Sequence, residues 1–179
     1  LVVTGPLVKS KSRIFGCGFF VVRSLQLLRV VTVTAQYARS PDDLFASASD
    51  PRDLLAVMSD IDVYRWMPNA QFVRGMAFVT DVTFWGWLKI KGHHVHLDSL
   101  DSVERCLQSR EYSKTVRQWD HLITVKAHPQ GAVWTDQVVV DAGWKTYFVA
   151  LFSRYIYVHR HRRRNALSIT SNIQPLRIT

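Results

Sequence analysis

A change of hydrophobic period at Gly143 constrains this chain more than any other feature. From Glu111 to Asp141 apolar residues alternate along two strand-like runs, EYSKTVRQWDHLITV (111–125) and VWTDQVVVDAG (133–143), joined by a turn at His128–Gly131. From Trp144 the apolar positions fall at helical spacing instead: Phe148, Leu151, Phe152, Tyr155, Ile156. The helix spans 144–167 and is long enough to cross the sheet that precedes it. A curved antiparallel sheet holding a long helix encloses a space between them, and that predicts a module for binding a small molecule.

Upstream, Arg29–Tyr37 is β-branched and alternating, hence a strand. Ser40-Pro41-Asp42-Asp43 starts a helix, with Ser at the N-cap, Pro in the first turn and acids beside the positive end of the dipole. Ser49-Asp50-Pro51 repeats the signal, so two short helices follow the first strand. Ser59–Pro68 connects them to the sheet with Tyr64 and Trp66 as anchors. Short strands are expected at Phe72–Met76, within Ala77–Lys91 with a bulge at Gly86, at His93–Leu97 after a turn at Gly92, and at Arg105–Arg110. Strands over Glu111–Lys126 and Ala132–Asp141 complete the sheet. The expected class is α+β, with one domain over 29–170, an extension outside the domain over 1–28, and a tail over 171–179.

The chain has 179 residues, 47% of them hydrophobic, which suits one domain with a sizeable core. Its net charge of +9 is concentrated in the first 29 residues and in the run HRHRRR at 159–164. A basic stripe can bind phosphates. At a helix end, with its charges turning around the axis and no aromatic platform between them, this run reads as a solvated terminus that complements the dipole, and no nucleic-acid partner is expected. Lys9, Lys11 and Arg13 before Ile14–Val22 loosely resemble a secretory signal, and Cys17 a lipoprotein site; no A-x-A-like cleavage site follows, and Arg23 interrupts the run. Two cysteines, Cys17 and Cys106, are too few for a disulfide framework, so a cytoplasmic location is expected. No run approaches the ~20 apolar residues of a membrane-spanning helix.

In combination, SDIDVYRWMP (59–68) after the paired helices, RQWDH (117–121), WTDQVVVDAG (134–143) and the terminal YVHRHRRRNAL (157–167) resemble the SRPBCC superfamily, also called START-like or polyketide cyclase-like. The resemblance covers roughly Val30 to Ile169. It implies the helix-grip fold, an antiparallel sheet wrapped around the last helix with a cavity between. Superfamily members bind lipids, sterols, hormones and polyketides, and some catalyse cyclisation or dehydration. What it implies here is a hydrophobic or amphipathic small molecule or lipid as partner and no cofactor.

Strand alternation puts Arg117, Trp119, His121, Ile123 and Val125 on one face, and Trp134, Asp136, Val138 and Val140 on one face of the next strand. The apolar members mark both faces as inward. His121 and Asp136 are therefore candidates for a hydrogen-bonded pair that fixes strand register, contacts a ligand, or serves as base and orienter in a cyclase or dehydratase. The pair lacks a nucleophile or an oxyanion motif beside it, which favours binding over catalysis. Trp85, Trp87, Arg117, Trp119, His121, Trp134, Asp136, Phe148, Phe152 and Tyr155 are the expected cavity residues. His93, His94 and His96 have strand spacing but no third or fourth ligand nearby, and the H-x(4)-H pair of Rieske oxygenase domains is missing, so no metal site is expected.

Overall fold

The computed structural model describes residues 28–172. The extension expected over 1–28 lies outside that range apart from Leu28, and so do residues 173–179. Seven strands form one antiparallel sheet: β1 (Arg29–Tyr37), β2 (Asp62–Arg65), β3 (Ala77–Phe84), β4 (Leu88–Asp101), β5 (Cys106–Tyr112), β6 (Gln118–His128) and β7 (Gly131–Asp141). Two short helices, α1 (Pro41–Ala48) and α2 (Pro51–Met58), follow β1, and the long α3 (Thr146–Asn172) ends the described chain. The sheet order is β1-β7-β6-β5-β4-β3-β2, with every neighbour antiparallel. This is the helix-grip fold.

The two proline-led helices form as their capping residues dictate. Ser40 Oγ accepts from Asp43 N at 3.1 Å, and Asp50 Oδ1 accepts from Arg52 N at 2.9 Å; each such cap contributes about 1 kcal/mol. Leu44, Phe45 and Ala48 of α1 pack with Tyr37, Leu107, Val125 and Trp134 of the sheet. Val57 and Met58 of α2 pack with Val82, Phe84 and Ile156. A third cluster joins Val33, Val138 and Val140 to Tyr157 of α3.

The sheet has seven strands, as many as the sequence pattern suggests, but several of their bounds differ. Gly92 is not a turn: it lies inside the 14-residue β4 at φ +60°, opposite a register shift between Thr80 and Val82, and its N–H donates to Asp81 Oδ1 at 2.8 Å. A second shift falls between Leu97 and Ser99. Bulges of this kind bend a strand, and they curl β4 around the interior. The turn is instead at Trp85-Gly86, both at positive φ, where Trp87 N–H closes on Phe84 O at 3.1 Å. Phe72–Met76 is not a strand; Phe72 ties the loop to Ser49 O at 2.9 Å and stacks on Phe78. The segment Glu111–Lys126 is broken in two, because Ser113 builds a tight turn in which its Oγ accepts from Val116 N at 3.2 Å and its N–H donates to Val116 O at 2.8 Å. Glu111 therefore belongs to β5 and faces Trp119 across the ladder.

The strand-to-helix junction lies where the period changes. Gly143, at φ +61°, reverses the chain, its N–H capped by Asp141 Oδ1 at 2.8 Å. A single 3₁₀ turn (Gly143–Lys145) leads into α3, and Thr146 fastens it, with Oγ1 accepting from Ala142 N at 2.9 Å and donating to Gly143 O at 2.6 Å. The helix then runs on through Asn172, five residues past the expected end at Leu167.

Candidate functional site: a cavity with a polar inner wall

Between the curled sheet, α2 and α3 lies a cavity of about 710 Å³. Most of its lining is apolar: Leu54 of α2, Val82 and Phe84 of β3, Ile90 and Val95 of β4, Ile123 of β6, and Phe148, Phe152 and Ile156 of α3 all contribute. Val82 and Phe84 alternate along β3 as a one-sided lining requires, and on β4 the register shift between Ile90 and His93 brings both Ile90 and Val95 to the cavity. Polar groups enter at a few places only.

The largest of these assemblies centres on Asp136. His121 Nε2 lies 2.7 Å from Asp136 Oδ1, with both side chains buried. The register places His121 opposite Val138 and Asp136 opposite Ile123, so the two meet on the diagonal of one inward face. His161 of α3 brings Nε2 to 2.8 Å from Asp136 Oδ2, an ion-pair distance off the line of a hydrogen bond. Its Nδ1 lies 2.6 Å from Tyr37 Oη on β1. Burial alone would raise the pKa of Asp136, but the two histidines outweigh it and hold the carboxyl well below the usual range. Burial pushes the Tyr37 phenol up to about 12.

A second assembly joins Glu111, which accepts from Ser109 Oγ at 2.5 Å and pairs with His93 Nε2 at 2.8 Å. Its carboxyl is lowered by His93, His121 and Ser109 against the opposing effect of burial. A third is cationic. Arg164 lies over the Trp134 ring at 4.2 Å and is clamped by Asp53 Oδ2 at 2.5 and 3.1 Å. One turn earlier, Arg160 donates from Nη2 to Tyr64 Oη at 3.2 Å and lies 5.0 Å from the Tyr157 ring centre.

Of the residues singled out from sequence, Trp119, His121, Trp134, Asp136, Phe148 and Phe152 line the cavity. Trp119 Nε1 also donates to Tyr157 Oη at 3.2 Å. Trp85, Trp87 and Tyr155 do not line it; they form an outer aromatic cluster in which Trp85 stacks on Trp87 and meets Tyr155 and the edge of Phe152. The hairpin turn at Trp85-Gly86 carries these rings outward, and Trp87 is 71% exposed. Arg117 is exposed, lies before β6 and stands beside Gly143, so Asp136 is partnered by two histidines and not by arginine. The three neighbouring histidines diverge: His93 faces the cavity, His94 stacks on Tyr112, and His96 pairs with Asp98.

The run at 159–164 is not a solvated helix end. The helix continues past it, His161 and Arg164 are buried, and Arg160 and Arg164 line the cavity. Sequence reasoning missed Arg160, His161, Arg164, Tyr37 and the Glu111–His93 pair. The available signal was the 3.6-residue period: positions 157, 160, 161 and 164 continue the inward stripe of 149, 152 and 156, so the charged residues occupy core positions.

A curled antiparallel sheet closed by its last helix around such a cavity defines a protein of the helix-grip class. Solved structures of that shape are similar to this chain. Norcoclaurine synthase from Thalictrum flavum, in complex with dopamine and hydroxybenzaldehyde, superposes with a TM-score of 0.64 at 13% identity, covering 90% of this chain and 98% of that one. Protein Ms6760 from Mycobacterium smegmatis gives 0.62 at 15% identity, covering 77% and 89%. Ara h 8.0201 gives 0.58 at 10% identity, covering 80% and 99%. No protein-family model matches the chain, and no curated protein matches it by sequence. At these identities the likeness is one of fold. No helix among the described residues is long and apolar enough to cross a membrane.

Proposed function

We propose that this protein binds a hydrophobic or amphipathic small molecule in the cavity between the sheet and α3. The observation that carries the reading is the cavity itself: about 710 Å³, mostly apolar, with a few convergent polar groups on its inner wall. That size and chemistry are typical of small-molecule sites. A protein of the same fold solved with dopamine and hydroxybenzaldehyde bound lends support.

Native mass spectrometry of freshly purified protein tests whether a ligand co-purifies. Titration with the neutral fluorophore N-phenyl-1-naphthylamine tests the cavity directly. Filling the space with Val95→Trp or Leu54→Trp is expected to reduce probe binding at least tenfold while the protein stays folded. Undiminished binding in both variants would place the probe elsewhere and end the reading.

A second reading is a cyclase- or dehydratase-type enzyme in which His121 exchanges a proton with substrate while Asp136 orients it. It draws on the contact at Nε2, which leaves Nδ1 as the ring atom for proton transfer, and on both residues lining the cavity. Under this reading His121→Gln abolishes turnover without weakening ligand binding, whereas a binding site loses affinity.

A further inference from the structure

Lys89 and Lys145 reach the cavity from exposed positions, and the charged groups on its inner wall are matched with one exception. Asp136 has its two oxygens engaged by His121 and His161, Glu111 has its own engaged by Ser109 and His93, and Asp53 holds Arg164. Arg160 has no such match. Among the described residues no carboxylate comes within ion-pair distance of its guanidinium, its Nε is buried without a hydrogen-bond partner, and its hydrogen bond to Tyr64 goes to a neutral phenol. Asp62 and Asp136 both interact with the charge of Arg160 across the wall, but neither lies within pairing distance; Asp136 is engaged by its histidines, and burial pushes the pKa of Asp62 up to about 7, so at neutral pH it is a poor counter-ion. The half-buried Arg160 is held at the cavity wall: Tyr64 holds one end of the fork, and Tyr157 lies along it. A guanidinium kept in a mostly apolar chamber without an anion is costly, and its planar donors suit a carboxylate or similar oxyanion.

We infer that Arg160 is the receptor for an anionic headgroup, and that the cavity takes an amphipathic molecule with one carboxylate or comparable oxyanion on an apolar body. This rests on the cavity-binding reading above and gives it a ligand class. The apolar walls, including Val82, Phe84, Ile90 and Phe152, take the body, and the headgroup lies against α3 where Arg160 faces the cavity. The fixed fork makes the contact selective: a neutral molecule of the same shape leaves the guanidinium as unmatched as before.

The test compares dodecanoate with dodecanol as competitors of N-phenyl-1-naphthylamine at pH 7.5 in 0.3 M salt, which suppresses non-specific attraction to a basic protein. Wild type is expected to bind dodecanoate at least tenfold more tightly than dodecanol. Arg160→Met should remove that preference while leaving probe and dodecanol affinity within twofold, and Arg160→Lys should retain part of it. Arg74→Gln, which removes the same charge from an exposed site outside the cavity, should change nothing. Equal binding of acid and alcohol by wild type overturns the headgroup assignment while the cavity reading stands. Undiminished preference in Arg160→Met overturns it as well. Failure of the neutral probe to bind wild type overturns both. Should Arg160→Met not fold, the wild-type comparison and Arg160→Lys decide alone.

Discussion

Tyr37 and His161 stand 124 residues apart in sequence and 2.6 Å apart in space, joining the first described strand to the last helix. With the Tyr37 hydroxyl as donor, His161 Nδ1 is the acceptor. The His161 proton then sits on Nε2, towards Asp136. One imidazole thereby links β1, β7 and α3. Tyr37→Phe removes only the hydroxyl and leaves a buried acceptor unmatched. It is expected to cost about 1–2 kcal/mol in urea unfolding with the m-value unchanged.

Asp136→Asn should be more damaging, about 3 kcal/mol at pH 7, since it removes the buried carboxylate that engages both His121 and His161 and so strands them. The pH dependence has a definite sign. The folded-state pKa is depressed, so the contribution of Asp136 is present above the unfolded value of about 3.9 and is lost as pH falls below it. The gap between mutant and wild type should therefore narrow below pH 4. A gap of constant size from pH 7 to 3 would show that ionisation of Asp136 does not stabilise the fold.

His121 separates scaffold from site. His121→Ala leaves Asp136 Oδ1 unpaired and should destabilise by about 1–3 kcal/mol. His121→Gln keeps a donor at similar reach, so its thermal midpoint should stay within a few degrees of wild type while binding of a co-purifying molecule weakens. If Gln costs as much stability as Ala, the imidazole itself is structural.

Asp62 behaves in the opposite sense from Asp136. It is buried with both oxygens lacking hydrogen-bond partners, and its pKa is raised to about 7. A carboxyl with a raised folded pKa favours the folded state below the unfolded pKa and loses that advantage as pH climbs from about 4 through 7. Asp62→Asn should raise the melting temperature by several degrees at pH 8 and leave it unchanged at pH 4. No gain at pH 8 would mean that the carboxylate is well solvated.

Gly131 tests the hairpin between β6 and β7. At φ +128° a Cβ would lie 2.1 Å from the carbonyl oxygen of Tyr37, a backbone atom that cannot step aside. Gly131→Ala should cost roughly 2–3 kcal/mol or more by chemical denaturation. A loss below 1 kcal/mol would show that the hairpin shifts register to accept it.

Periodicity and local chemistry made much of the fold legible in the sequence. The change from period two to 3.6 located the last strand and the long helix, Ser40-Pro41 and Asp50-Pro51 located the two short helices, and alternation put Trp119, His121, Trp134 and Asp136 on inward faces. These signals are encoded within a few residues of where they act. The tertiary structure alone decided which residues meet. Ser113 splits one apparent strand in two, and Gly92 bends a strand it was expected to end. The arginines and histidines of 159–164 look like solvent-seeking charge in sequence. Whether a cationic face of a helix meets water or a sheet depends on what the rest of the chain packs against it, here Tyr37, Asp53, Tyr64 and Asp136 from four distant segments. Burial is a property of the assembled layers, so the charge of this run was readable locally but its environment was not.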